Sequence, residues 1–225
     1  METGTALLTL LHLCIAIYWL GGDLGAFYGS TFMTDPKRTV PERMMALKIL
    51  NNIDMAPRTA LILAFPTGLA LAWSKGWLPI SGAYVAVAVA AFLAWLALAW
   101  AVHLSHGGGA AEGLRRSDLA VRYIVLAGLV GAGVAGLTGA LAIPLFISLK
   151  LLILAGCVTL GLIVRVQLVP LFGAIRTMAT TGPTPESDAT IMAVNGRARI
   201  SVLTIWALTL TASFLGIATP VYTGA

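Results

Sequence analysis

Charge is what this chain lacks most. Only 10% of its 225 residues are Asp, Glu, Lys or Arg, against about 25% in a soluble globular domain. At the same time 59% are hydrophobic, and the mean hydropathy is +0.92. Water is therefore not the main solvent of this polypeptide. Cysteine is scarce as well: Cys14 and Cys157 both lie inside apolar runs, where a thiol behaves as a small hydrophobe. No disulfide framework and no CxxC metal motif can be drawn from them. The first 36 residues hold no Lys or Arg, so the basic n-region of a cleavable signal peptide is missing and the first apolar run is expected to persist as a helix. Walker, Rossmann, HExxH and GxSxG signatures are absent. The formal charge of +5 comes from basic residues spread over several segments, and that dispersal excludes a nucleic-acid partner.

What is present is apolar sequence in long runs. A spanning helix needs about 20 such residues, and six runs qualify: Ala6 to Phe32, Ala56 to Trp73, Pro79 to Leu104, Leu119 to Leu141, Ile143 to Phe172 and Ile200 to Tyr222. Breakers separate them, namely Asp35-Pro36, Ser74-Lys75-Gly76, Gly107-Gly108-Gly109, Pro144 and Gly182-Pro183-Thr184-Pro185. The expected fold is all-α: one polytopic membrane helical bundle, residues 1–225, in contact with the lipid bilayer. The more polar stretch from Pro41 to Asp54 is expected to be helical, lying on the membrane or extending the second span.

Short cytoplasmic loops are enriched in Lys and Arg. The first connection holds Lys37, Arg38, Arg43, Lys48 and Arg58, the third Arg115, Arg116 and Arg122, and the fifth Arg176, Arg197 and Arg199. The second has only Lys75, and the fourth has no basic residue. Alternation of this kind implies six spans with both termini on the non-cytoplasmic side. Trp73, Trp77, Tyr84 and Tyr222 fall near the expected outer interface and Trp100 and Tyr123 near the inner one, as interfacial aromatics do. In the fourth span Gly128, Ala132, Gly136 and Ala140 recur at every fourth position, a spacing that lets another helix approach closely. This Gly128/Gly136 face is expected to pack centrally, or against a second copy or a partner subunit.

Ionisable groups inside a span are costly and mark the places to look for function. In the first run His12, Trp19 and Asp23 share one helical face. At about 1.5 Å per residue, His12 and Lys150 both lie about 10 Å below the outer surface, whereas Asp23 lies about 25 Å down. Asp23 is then expected to meet Arg58 or Arg165 in an intramembrane charge cluster. His103 and His106 end the third span at the opposite level, so neither can share one haem with His12. A haem b site would use His12 with a non-histidine ligand or an open position, or His103 or His106 at a separate inner site. Copper would want His, Met or Cys together, and Cys14 points to a different face from His12.

Two stretches carry a family likeness: Leu11-His12 followed by Tyr18-Trp19-Leu20-Gly21-Gly22, and Ser148-Leu149-Lys150-Leu151-Leu152. With them the chain resembles a loose superfamily of bacterial membrane proteins that includes the CopD copper-resistance domain and the HemJ-type protoporphyrinogen oxidases. The likeness implies haem or porphyrin chemistry, with His12 as haem ligand, Lys150 as a propionate or proton partner, and Trp19 beside them. The chain departs from HemJ-type proteins in its six spans and in lacking further matched histidines, which counts against porphyrinogen oxidation. Its Met-poor outer loops count against a copper-capture surface. The reading that follows is a protein binding haem or another redox ligand between the first and fifth spans. Its rivals are a transporter using Asp23, Arg58 and Arg165, an auxiliary subunit of a membrane complex, and a copper-handling protein with His12, His103 or His106 as metal ligands.

Overall fold

The computed structural model describes residues 3–105 and 109–218, of which 88% are helical and none lies in a strand. Among these residues eight helices follow one another: α1 (Thr3–Thr34), α2 (Val40–Ile53), α3 (Met55–Ser74), α4 (Gly82–Leu104), α5 (Gly109–Leu137), α6 (Leu145–Gln167), α7 (Val169–Thr181) and α8 (Pro185–Ile217). Six stretches are long and apolar enough to cross a membrane: α1, α2 with α3, α4, α5, α6 with α7, and α8. The all-helical class and the six-span count therefore agree with hydropathy.

Helix boundaries follow local chemistry. Thr39 starts α2, where Glu42 reaches back to accept the Thr39 N–H at 2.8 Å. At the start of α8, Thr184 and Ser187 form a reciprocal pair, the Ser187 N–H donating to Thr184 Oγ1 at 3.1 Å and the Thr184 N–H to Ser187 Oγ at 2.9 Å. Glu186 and Asp188 then sit in the first turn of α8, where the positive end of the helix dipole favours them. Pro170 cannot donate an N–H, and the long run from Ile143 to Phe172 accordingly breaks after Gln167. At the far end of α5 Gly139 adopts φ 75°, and the Leu141 N–H turns back to Ala135 O at 3.1 Å, ending the helix short of the expected Leu141.

Two expected bounds move outward for the same reason. α8 begins at Pro185 and not at Ile200, and α5 begins at Gly109 and not at Leu119. Both added segments carry charges, Glu186, Asp188, Arg197 and Arg199 in one and Glu112, Arg115, Arg116 and Asp118 in the other. Hydropathy drops there while the helix continues. At about 1.5 Å per residue the 33-residue α8 is about 50 Å long, well beyond a hydrocarbon core of about 30 Å.

The chain forms two compact units. One contains the chain through Ile17, Thr59–Val158 and the chain from Leu208; the other contains Tyr18–Arg58 and Thr159–Ala207. Helices α1, α3, α6 and α8 each contribute residues to both. In the first unit α4 packs along α5 around Ile62, Trp95 and Ala99. There α5 also approaches α6 closely: a Cβ at Gly133 would lie 2.8 Å from Leu152 Cδ2, and one at Gly136 would collide with Ser148. Gly128 has open space around it, so the closest approach uses Gly133 and Gly136. In the second unit the short helices α2 and α7 pack together, with Met33, Ala46, Ile175, Met178, Ile191 and Val194 in the core. Ile17, Val87, Ile124, Val166 and Phe214 are exposed, an arrangement suited to lipid and unfavourable in water.

Candidate functional site

His12 lies on α1, half-buried, in the first unit. Its Nδ1 is 2.9 Å from Thr67 Oγ1 on α3. The Thr67 hydroxyl, in turn, donates to Leu63 O at 2.7 Å, one turn earlier on the same helix. The next residue, Gly68, gives the ring its room: a Cβ there would lie 3.1 Å from His12 Cε1. A bulkier residue at position 68 would therefore press on the imidazole. Beside Thr67 an apolar cavity of about 230 Å³ opens among α1, α3 and α4, lined by Leu11, Ile15, Leu63, Pro66, Ala70 and Val89 among others.

Lys150 lies on α6 in the same unit. Its ammonium is set against α8, where a Cβ at Gly216 would lie 3.0 Å from Nζ. His12 and Lys150 thus fall in the same compact unit. His103 is on α4, edge-on to Trp100 with ring centroids 5.9 Å apart. His106 lies outside the described residues. Among the described residues no group of three or more His, Cys, Asp or Glu side chains is arranged to hold a metal ion.

The expected charge cluster is built differently. Asp23, on α1 in the second unit, is only 6% exposed. Trp206 of α8 donates its indole N–H to Asp23 Oδ2 at 3.0 Å, and Trp19 donates from one turn earlier on α1. Arg58 pairs with Asp54, while Arg165 lies half-buried in the last turn of α6. Among the described residues no cation pairs with Asp23 within 4 Å; the charge acting on it is Asp54. Phe27 stacks at a tilt on Trp206 with centroids 5.3 Å apart, and the Arg199 guanidinium lies over Phe27 at 5.1 Å. Trp19 therefore belongs with Asp23, in a different unit from His12. Gly22 lets α1 approach the start of α3 closely, since a Cβ there would overlap Ala56 and touch Pro57 at 3.0 Å.

Two buried ionic groups escaped sequence reasoning. Asp118 of α5, 2% exposed, accepts from Trp95 Nε1 of α4 at 3.0 Å and pairs with Arg122 at 3.0 Å. The i, i+4 spacing of Asp118 and Arg122 was the available signal, but both fell in what reads as a connection. Arg43 of α2, 1% exposed, donates from Nε to Met33 O at 2.8 Å and from Nη1 to Asp188 of α8 at 2.7 Å. Nothing local in the sequence links residues 43 and 188.

No protein-family model, no curated protein and no solved structure matches the chain.

Proposed function

We propose that this is a multi-pass protein of a bacterial cytoplasmic membrane, with both termini on the non-cytoplasmic side, that binds haem or another redox-active ligand through His12. The observation that carries the reading is the His12–Thr67 hydrogen bond. A ring nitrogen that ligates a metal is typically backed by a hydrogen bond from the other ring nitrogen to a neighbouring acceptor, and Thr67 is that acceptor. The donor set also favours haem over a bare ion. Copper or zinc held by side chains alone needs several ligands together, whereas haem brings four nitrogens and asks the protein for one or two.

His12 would hold the haem iron through Nε2, and Lys150 would serve as a propionate or proton partner. Haem would supply one-electron redox chemistry. Gly68 leaves room for the imidazole itself, and the apolar cavity of about 230 Å³ beside Thr67 is smaller than the about 300–1,000 Å³ of pockets for drug-sized ligands, so a haem would need the helices around it to part. Extraction of protein purified from haem-replete cells tests this: haem in stoichiometric amount from the wild type and little from His12→Ala supports it, and none from the wild type refutes the haem version.

One observation favours a second reading, ion handling. Asp23 is buried in a spanning helix and held by indoles, with no cation paired to it among the described residues, and such carboxylates commonly serve ion or proton pathways. Flux measured in proteoliposomes should then fall in Asp23→Asn; equal flux in both proteins would remove this reading.

A further inference from the structure

The hydrogen bonds around His12 define more than its position. Thr67 has one hydroxyl proton, and the 2.7 Å contact to Leu63 O uses it, because a backbone carbonyl can only accept. Thr67 Oγ1 therefore faces His12 Nδ1, 2.9 Å away, with lone pairs only. A neutral imidazole carries its proton on one nitrogen, and a 2.9 Å contact between two lone pairs would be repulsive. The proton belongs on Nδ1, which leaves Nε2 with its lone pair. The spanning helix α3 supplies all three groups, Leu63, Thr67 and Gly68: two fix the tautomer, and the third leaves the ring unobstructed.

We infer that Thr67 is a positioning residue that locks His12 as the Nδ1–H tautomer, so that the site accepts a ligand presenting an electron-pair acceptor, such as a metal centre, to Nε2. This inference deepens the proposed function, since it rests on His12 as the ligand-facing group. It also narrows the ligand class: a group offering only lone pairs, such as a carbonyl or carboxylate oxygen, finds no donor at Nε2.

The test is ¹⁵N NMR of histidine-labelled full-length protein in detergent micelles, before any ligand is added, with His12→Gln used to assign the resonances. The wild type should show His12 protonated at Nδ1 and bare at Nε2. Thr67→Ser, which keeps the hydroxyl relay, should retain that pattern, and Thr67→Val should lose it to the other tautomer or a mixture. An Nε2–H tautomer or an imidazolium in the wild type would overturn the inference, as would a Thr67→Val spectrum like that of the wild type. The wild-type assignment decides alone if Thr67→Val fails to fold. Hemin added afterwards should broaden the His12 signals; without broadening the haem reading fails, while the tautomer assignment stands.

Discussion

The indole of Trp206 donates to the carboxylate of Asp23 at 3.0 Å across 183 residues of sequence. The same chemistry occurs where Trp95 donates to Asp118, also at 3.0 Å. The two aspartates differ in their charges: Asp118 has Arg122 beside it, whereas Asp23 has indoles and the like charge of Asp54. Trp206→Phe keeps the aromatic contact with Phe27 and removes only the donor. Trp19 still donates to the carboxylate, so one hydrogen bond between membrane helices is lost, worth about 0.6 kcal/mol on average and at most about 1.7. The expected loss is therefore about 0.5–1.5 kcal/mol, read as a lower thermal unfolding midpoint in detergent. An unchanged midpoint would mean the indole does not hold Asp23.

Asp118 and Arg122 should behave as a unit. Removing one partner of a buried pair leaves an uncompensated charge and costs about 3–5 kcal/mol, while replacing both with apolar groups is often tolerated. Asp118→Leu is expected to be markedly destabilised, and the Asp118→Leu, Arg122→Met double variant much less so. Unfolding of the four proteins of that cycle would measure the coupling, and additive effects would deny it.

Arg43 is engaged through two arms, Nε to Met33 O and Nη1 to Asp188. A lysine keeps the charge but presents one compact head on a flexible stem, so Arg43→Lys is expected to recover little of the stability lost in Arg43→Ala. Limited proteolysis at the ends of α2 and α8 should report both. Full protection in Arg43→Lys would show that charge alone suffices.

Two glycines of α5 should respond differently. A Cβ at Gly133 meets Leu152 and the Ser148 carbonyl, while one at Gly128 meets nothing within 4 Å. Gly133→Ala is expected to cost about 1–3 kcal/mol by overpacking. Gly128→Ala is expected to be neutral, or stabilising by up to about 1 kcal/mol, because alanine favours helix. Thermal unfolding of the two variants side by side checks the contrast.

Much of the fold was legible in the sequence because lipid demands continuous apolar runs, and six of them stand out between glycine and proline breaks. The boundaries were legible only where chemistry is local, as at Ser74-Lys75-Gly76, where α3 ends. Where a helix outruns the apolar run, as at residues 185–199 of α8, composition turns polar while the backbone bonding does not change. Partners were harder. Rise per residue sets a level but not a direction around the helix axis, so Asp23 could be placed at the depth of Arg58 without revealing that Trp206 faces it and that Arg58 turns to Asp54. His12 and Lys150 fall in one compact unit, and rise per residue sets both at one level. Thr67 carried no signal, since a threonine in a span usually just bonds back to its own helix.

The central claim is that His12 holds a redox-active ligand, and the optical spectrum of the purified protein from haem-replete cells tests it most directly. A Soret band in the wild type, absent in His12→Ala and diminished in Gly68→Leu, is the predicted result. A wild type with no Soret band, or a band that survives intact in His12→Ala, would contradict it.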